Sequence, residues 1–183
     1  MLEPSRRARI AGAFYVGTFV AGTLALVLRQ GPVAVAANLV AGASYVAVTL
    51  LFYEIFKPVS QPISLLAAAF SLAGCVLGAV GAARGAPPLL HPFVLFGCYC
   101  LLIGYLVARS TFMPRVLGAF MAFGGLGWLT FASPALAKAL FPYNLAPGIL
   151  GEGLLTLWLV AKGVDARRWT ERAEARAMVP RPA

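Results

Sequence analysis

An acidic residue, Glu152, lies well inside a stretch of sequence that is otherwise almost wholly apolar. It follows Pro147 by five residues and is flanked by Gly151 and Gly153, where a helix can bend or another backbone can come close. A carboxyl group in apolar surroundings is costly, so such a residue is a functional hypothesis by default. Three uses are open: a proton- or cation-linked pathway, a pocket for a ligand or lipid, and a protonated acid that only holds helices together.

Three residues are candidate partners of this carboxyl. Asn38 and Trp128 fall at a similar depth within their own apolar stretches, and His91, the single histidine, directly precedes Pro92. We therefore predict a polar site formed by Glu152 with Asn38, His91 and Trp128. A lone histidine at this position is more typical of a membrane interface than of a metal ligand, so we expect no metal.

Other chemistry has little support in the sequence. It contains no G-x-S-x-G, no H-E-x-x-H and no nucleotide-binding glycine loop after a strand. Cys98 and Cys100 are two residues apart, so on a helix they point to different faces. We expect no enzymatic activity, no disulfide and no cofactor. Tyr45 and Tyr99 fall near mid-depth of their stretches and need hydrogen-bond partners there.

The composition defines the surroundings of these residues. Hydrophobic residues make up 61% of the 183-residue chain, and only 11% are charged. Water-soluble domains carry about 25% charged residues. A disordered chain is excluded as well, because it needs low hydrophobicity and high charge. The composition predicts an integral membrane protein whose main partner is the lipid bilayer.

Six apolar segments account for most of the chain, and a helix needs roughly 20 apolar residues to cross a bilayer. We predict an all-α polytopic bundle of six transmembrane helices, in one domain that spans residues 1–183. The first segment is longer than a signal peptide's apolar core, so we expect it to be retained as a helix. The stretch 135–141 (ALAKALF) indicates a short interfacial helix. The segments are 10–28, 33–56, 63–83, 89–108, 116–136 and 147–161.

Basic residues are unevenly distributed between the two ends of these segments. Twelve of the 15 lysines and arginines flank one side, whereas Arg29, Arg84 and Lys138 flank the other. Cytoplasmic loops carry the excess of basic residues, so both termini are predicted to be cytoplasmic. The net charge of +9 is then a signal for orientation, and we expect no nucleic-acid binding.

Residues 162–183 are predicted to form a basic cytoplasmic tail. Arg168, Arg172 and Arg176 are four residues apart, so they share one helical face, and Trp169 suits the aromatic belt at the interface. Two interpretations are open for this tail. The arginines contact anionic lipid headgroups, or they form a solvated tail that only sets the orientation.

Small residues follow one face of the third segment: Ala67, Ser71, Gly74, Gly78 and Ala82. Such a stripe lets helix backbones approach closely in lipid, so we expect this segment to be the packing centre of the bundle. Gly74 and Gly78 also form a GxxxG pair, which leaves homo-oligomerisation open as an alternative use.

Two stretches resemble a known family. They are HPFVLFGCYCLLIGYLVARSTFMPRVLGAFMAFGGLGWLTF (residues 91–131) and LAPGILGEGLLTLWLVAKGV (residues 145–164). They are similar to bacterial integral membrane proteins grouped as domain of unknown function 4386, and RIAGAFYVGTFVAG (residues 9–22) fits as well. The resemblance implies a multi-pass protein of the bacterial cytoplasmic membrane. It implies no assigned activity, so no catalytic residue is carried over.

Two classes of function are open after these observations. The first is a small-molecule, proton-linked or lipid-handling role that uses the polar site near Glu152. The alternative is a non-catalytic membrane scaffold or accessory subunit, with a membrane partner protein that the sequence does not identify.

Overall fold

The computed structural model describes residues 3–28, 30–84 and 90–178. In these ranges the chain forms eight α-helices and one 3₁₀ turn, so the predicted all-α class is confirmed. The helices are α1 (Pro4–Leu28), α2 (Pro32–Phe56), α3 (Gln61–Arg84), α4 (Pro92–Arg109), α5 (Arg115–Leu129), α6 (Pro134–Leu140), α7 (Leu145–Ala161) and α8 (Ala166–Ala177), with the 3₁₀ turn at Thr130–Ala132.

Five of these helices, with the 3₁₀ turn added to α5, are long and apolar enough to cross a membrane. A sixth candidate crossing is α7 together with α6, two helices that bend by 79° at the break between them. The 17 residues of α7 span about 26 Å, close to the thickness of a hydrocarbon core. The chain therefore has five or six candidate crossings, depending on whether this bent pair counts as one.

The long helices form a closed ring. Each of the first four packs on the helix that follows it in the chain, α5 packs on α7, and α7 packs on α1. At one end of the ring the Trp169 indole N–H donates to Ile55 O at 2.8 Å, and Asp165 N donates to Phe112 O at 3.1 Å. We call this end, where α1 begins and α7 ends, the terminal face, and the opposite end the loop face.

The closest packing centres on α5, which corrects the expectation that the third segment is the packing centre. A Cβ atom on Gly118 of α5 would lie 2.5 Å from Gly104 O of α4, so the two backbones touch. Gly125 of α5 is packed in the same way against Gly97. A Cβ on Gly78 of α3 would meet only Pro92, at 4.0 Å. The small stripe of α3 is buried at Ala67, Ser71 and Gly74 and opens toward its end.

Two helix ends differ clearly from the predicted segments: α1 begins at Pro4 rather than at residue 10, and the other difference is the end of α5. This helix ends at Leu129 rather than near residue 136, because the chain turns into the 3₁₀ segment and Ser133 caps α6 through Leu136 N. The short helix predicted at 135–141 is present as α6, and its position at a membrane interface stays a prediction. The basic tail is helical as α8 and docks on the terminal face. The calls on Arg29, residues 85–89 and Arg181 lie outside the described residues.

Candidate functional site

Glu152 lies on α7 and is buried, with 6% of its surface exposed. Its carboxyl group accepts four hydrogen bonds. Oε1 accepts from Trp128 Nε1 at 2.6 Å and from Cys100 Sγ at 3.5 Å. Oε2 accepts from the hydroxyl of Tyr15 at 2.9 Å and from that of Tyr45 at 3.2 Å. We call Glu152 with these four side chains the Glu152 cluster.

The four donors come from four different helices, so one carboxyl connects five of the six helices of the ring. Tyr15 is on α1, Tyr45 on α2, Cys100 on α4 and Trp128 on α5. An ionised carboxylate offers about four acceptor positions, and here two donors serve each oxygen. All four donors are neutral. Within the described ranges no lysine or arginine pairs with Glu152.

Glycines on α7 bring Trp128 within reach of the carboxyl. Gly148 lies against the indole ring of Trp128, and a Cβ atom there would overlap it. Gly151 lies in the same way against Phe120 O on α5. Larger residues at these positions would push α5 away from α7, and the bond from Trp128 to Glu152 would be lost.

Aromatic rings surround the two tyrosines of the cluster. The rings of Tyr15 and Tyr45 meet edge to face at 5.4 Å between centroids, and Phe96 lies 4.8 Å from Tyr45. Tyr99 packs 5.7 Å from Tyr45. The sequence predicted that Tyr45 and Tyr99 need hydrogen-bond partners. For Tyr45 the structure supplies Glu152, to which its hydroxyl donates. The buried Tyr99 hydroxyl makes no hydrogen bond with any of the described residues.

The structure joins one of the three candidate partners to Glu152. Trp128 donates to the carboxyl at 2.6 Å. Asn38 instead donates to Ala34 O on its own helix at 3.2 Å. His91 caps α4, and its Nδ1 accepts from Phe93 N at 3.3 Å. Whether Asn38 and His91 take part in a function stays a prediction.

Partial burial affects the titration of His91, which lies at the loop face just before α4. Its ring is 4.8 Å from the ring of Phe131 and 4.8 Å from that of Phe93. Desolvation by these neighbours lowers the pKa of His91 below its ordinary value of 6.5. The imidazole is therefore neutral at physiological pH.

Tyr15, Tyr45 and Cys100 were not among the predicted site residues. Each is one of several tyrosines or cysteines in apolar segments, and hydropathy does not show which of them face inward. For Cys100 the sequence did contain a signal that could have been used. Cys100 and Glu152 both lie in the interior of their apolar segments, so they could have been placed at a similar depth. That Tyr15 lies next to Glu152 follows only from the packing of α1 against α7.

The predicted headgroup contacts all lie on α8. Arg168 donates to Thr111 O at 3.2 Å and lies 3.5 Å from the Asp165 carboxylate. Arg172 is half-buried and Arg176 is exposed. The structure contains no lipid, so contact with headgroups stays a prediction. The described residues contain no group of three His, Cys, Asp or Glu side chains that could hold a metal ion.

Long apolar helices around a buried polar cluster define this chain as a multi-pass membrane protein. Residues 89–163 match the family model described as Domain of unknown function (DUF4386), which confirms the predicted resemblance over that part of the chain. The matched range includes Cys100, Trp128 and Glu152. For residues before 89 the resemblance stays a prediction.

A relative is found among archaeal proteins. An uncharacterized protein of Archaeoglobus fulgidus is 26% identical over 134 residues, which cover 64% of this chain and 76% of the relative. No solved structure matches the chain.

Proposed function

We propose that this chain is a proton-linked, non-enzymatic membrane protein in which Glu152 gains and loses a proton and the helix ring responds. The observation that carries the proposal is the Glu152 cluster, in which one carboxyl accepts bonds from four helices. A change in the charge of that carboxyl reaches five helices at once.

Protonation has a specific consequence for the two oxygens. The indole N–H of Trp128 is only a donor, so a proton on Oε1 would face a group that cannot accept it. A tyrosine hydroxyl can both donate and accept, so a proton on Oε2 can be accepted by Tyr15 or Tyr45. One tyrosine must then rotate its hydroxyl. The bond to α1 or the bond to α2 therefore reverses, while those to α4 and α5 persist.

Few titratable groups compete with Glu152 for this proton. Those that face the carboxyl are Tyr15 on α1, Tyr45 on α2 and Cys100 on α4, with Tyr99 next to them. From α5 the carboxyl meets the indole of Trp128, which does not titrate near neutral pH. Glu152 has the lowest ordinary pKa of these residue types, so it is the first of them expected to lose its proton as the pH rises.

We also propose that the terminal face lies in the cytoplasm, and that the membrane is the bacterial inner membrane. Among the described residues, eleven lysines and arginines lie at the terminal face, and two, Arg84 and Lys138, lie at the loop face. Basic residues are retained on the cytoplasmic side, which supports this orientation. The bacterial location is supported by the family resemblance.

Infrared difference spectroscopy of the purified protein tests the exchange of a proton. Between about pH 4 and pH 9 the carboxyl stretch of one protonated acid should appear and disappear. The band should be absent in Glu152→Gln and shifted in Trp128→Phe, which removes a donor to Oε1. A wild-type spectrum without a carboxyl band that depends on Glu152 would overturn the proposal.

One observation favours the alternative of a scaffold or accessory subunit. The carboxyl is enclosed, and all of its acceptor positions are used within the chain. Proton uptake into proteoliposomes under an imposed pH gradient separates the two functions. If the protein is a scaffold, wild type and Glu152→Gln should take up protons equally. Uptake that is lost in this variant, while the folded protein is retained, would favour the proton-linked function.

A further inference from the structure

The contact between α1 and α7, which closes the ring, is tight in one part and open in another. Near the terminal face a Cβ on Gly12 would lie 2.8 Å from Val160 Cγ2. Toward the loop face, a Cβ on Gly153 would meet no atom within 4 Å. The two helices therefore separate at the depth of Glu152, which precedes Gly153.

This separation leaves an apolar groove of about 230 Å³ on the side of the ring. The groove opens on the outer surface of the helix ring, since Val20 and Leu157 in its walls are 65% and 67% exposed. In a membrane this surface would face lipid. Its walls are Val16, Phe19 and Val20 of α1 and Ile149, Gly153 and Leu157 of α7.

The groove and the Glu152 cluster share a wall. Phe19 lines the groove and stacks on the ring of Tyr15 at 5.9 Å. Thr156 also lines the groove, and its hydroxyl donates to the backbone oxygen of Glu152 at 2.7 Å. A molecule in the groove is thus one side-chain layer from the carboxyl, and rotation of Phe19 and Tyr15 would open that layer.

The charges around the Glu152 cluster indicate what kind of molecule the groove could bind. Within the described ranges no basic side chain pairs with Glu152, so the chain itself does not neutralise the negative charge of the ionised carboxyl. The apolar groove requires that the rest of the molecule be hydrophobic.

We propose that the groove and Glu152 together bind a lipophilic monocation that enters sideways from the bilayer and replaces the proton on the carboxyl. This inference rests on the proposed proton exchange. The protonated carboxyl releases one proton to water and forms an ion pair with the cation, so the charge of the site is unchanged. Binding should tighten as the pH rises, by about tenfold per pH unit while the free carboxyl is protonated.

Isothermal titration calorimetry of the full chain in uncharged detergent tests this proposal with tetraphenylphosphonium. Titrations in two buffers with different ionisation enthalpies give the number of protons released, which should be one per bound cation. Tetraphenylborate has the same shape and the opposite charge, and it should not bind. Equal binding of both ions would show a hydrophobic groove without charge selection and would overturn the proposal.

Two variants separate the carboxyl from the groove. Glu152→Gln should weaken tetraphenylphosphonium binding by about 30-fold or more, because one partner of a buried ion pair is lost. Gly153→Leu fills the groove and should weaken it about tenfold. The matched control is Gly42→Leu on α2, where a Cβ also meets no atom within 4 Å, and it should bind as wild type does.

The infrared titration distinguishes the two possible failures. If the carboxyl band of Glu152 is absent, the proposed proton exchange and the cation site both fail. If the band is present and Gly153→Leu binds tetraphenylphosphonium as tightly as wild type, the proton exchange stands and the cation site in the groove is wrong.

Discussion

At the scale of single residues, the two oxygens of Glu152 have different neighbours. Oε1 faces Trp128 and Cys100, whereas Oε2 faces the hydroxyls of Tyr15 and Tyr45, which can reverse their hydrogen bonds. An amide in place of the carboxyl can therefore keep its oxygen toward Trp128 and donate to the tyrosines. An aliphatic side chain satisfies none of the four donors.

We predict that Glu152→Gln changes the free energy of unfolding by less than about 1 kcal/mol, the usual scale of one hydrogen bond between membrane helices. Glu152→Leu should lower it by about 2 kcal/mol, because four donors lose their acceptor at about 0.6 kcal/mol each. Unfolding in sodium dodecyl sulfate, followed by circular dichroism, measures both. Equal losses in the two variants would show that the hydrogen bonds do not matter for stability.

His91 gives a prediction on pH. Its pKa is below 6.5 in the folded chain, because burial opposes the charged form, so the unfolded chain binds more protons just below that pH. Stability should therefore fall as the pH drops from about 7 to about 5. His91→Asn keeps a capping side chain at this position without titrating, and it should flatten this part of the profile. An unchanged slope in the variant would assign the pH dependence to another group.

At the scale of elements, α5 is fixed by backbone contacts that leave no room for a side chain. Gly118 and Gly104 face each other, and a Cβ on Gly118 would also lie 2.8 Å from Ala108 N. Backbone atoms cannot move aside as a flexible side chain can. The position of α5 in turn sets the position of Trp128.

We predict that Gly118→Ala lowers the free energy of unfolding by about 1–3 kcal/mol through this overlap. Gly78→Ala on α3, where a Cβ would meet only Pro92 at 4.0 Å, should stay within about 0.5 kcal/mol of wild type. Thermal melts in detergent compare the two variants. A larger loss for Gly78→Ala would return the packing centre to α3.

A second prediction at this scale concerns α8. If Arg172 and Arg176 contact anionic headgroups, added anionic lipid should raise the melting temperature of the protein in micelles. Replacing both with glutamine should remove roughly 1 kcal/mol of this stabilisation per residue. Arg167→Gln is the matched control, because Arg167 is 82% exposed and its Nε is 3.5 Å from Glu171. An equal effect of the control would indicate non-specific charge.

At the scale of the whole molecule, the closed ring places the start of α1 and the end of α7 on one face. We predict that reporter fusions after Ala183 are cytoplasmic, and that a fusion after Arg84 is outside. The reason is the excess of basic residues at the terminal face. An external signal from the C-terminal fusion would contradict this orientation.

Much of this protein was determined by the sequence alone. Hydropathy predicted the apolar segments, because a run of apolar residues long enough to cross a bilayer is a local property. The short helix α6 was predicted at 135–141, within one residue of its ends in the structure. Glu152 was singled out because a carboxyl is costly at any position in such a segment, whichever helices surround it.

Only the tertiary structure decided which groups meet that carboxyl and which helix packs most closely. Lipid and protein interior are equally apolar, so hydropathy does not show which side of a membrane helix faces inward. Tyr15 and Tyr45 became partners of Glu152 because α1 packs on both α2 and α7. Glycine spacing likewise did not show that Gly118 is enclosed and Gly78 open, since that depends on which backbone lies opposite.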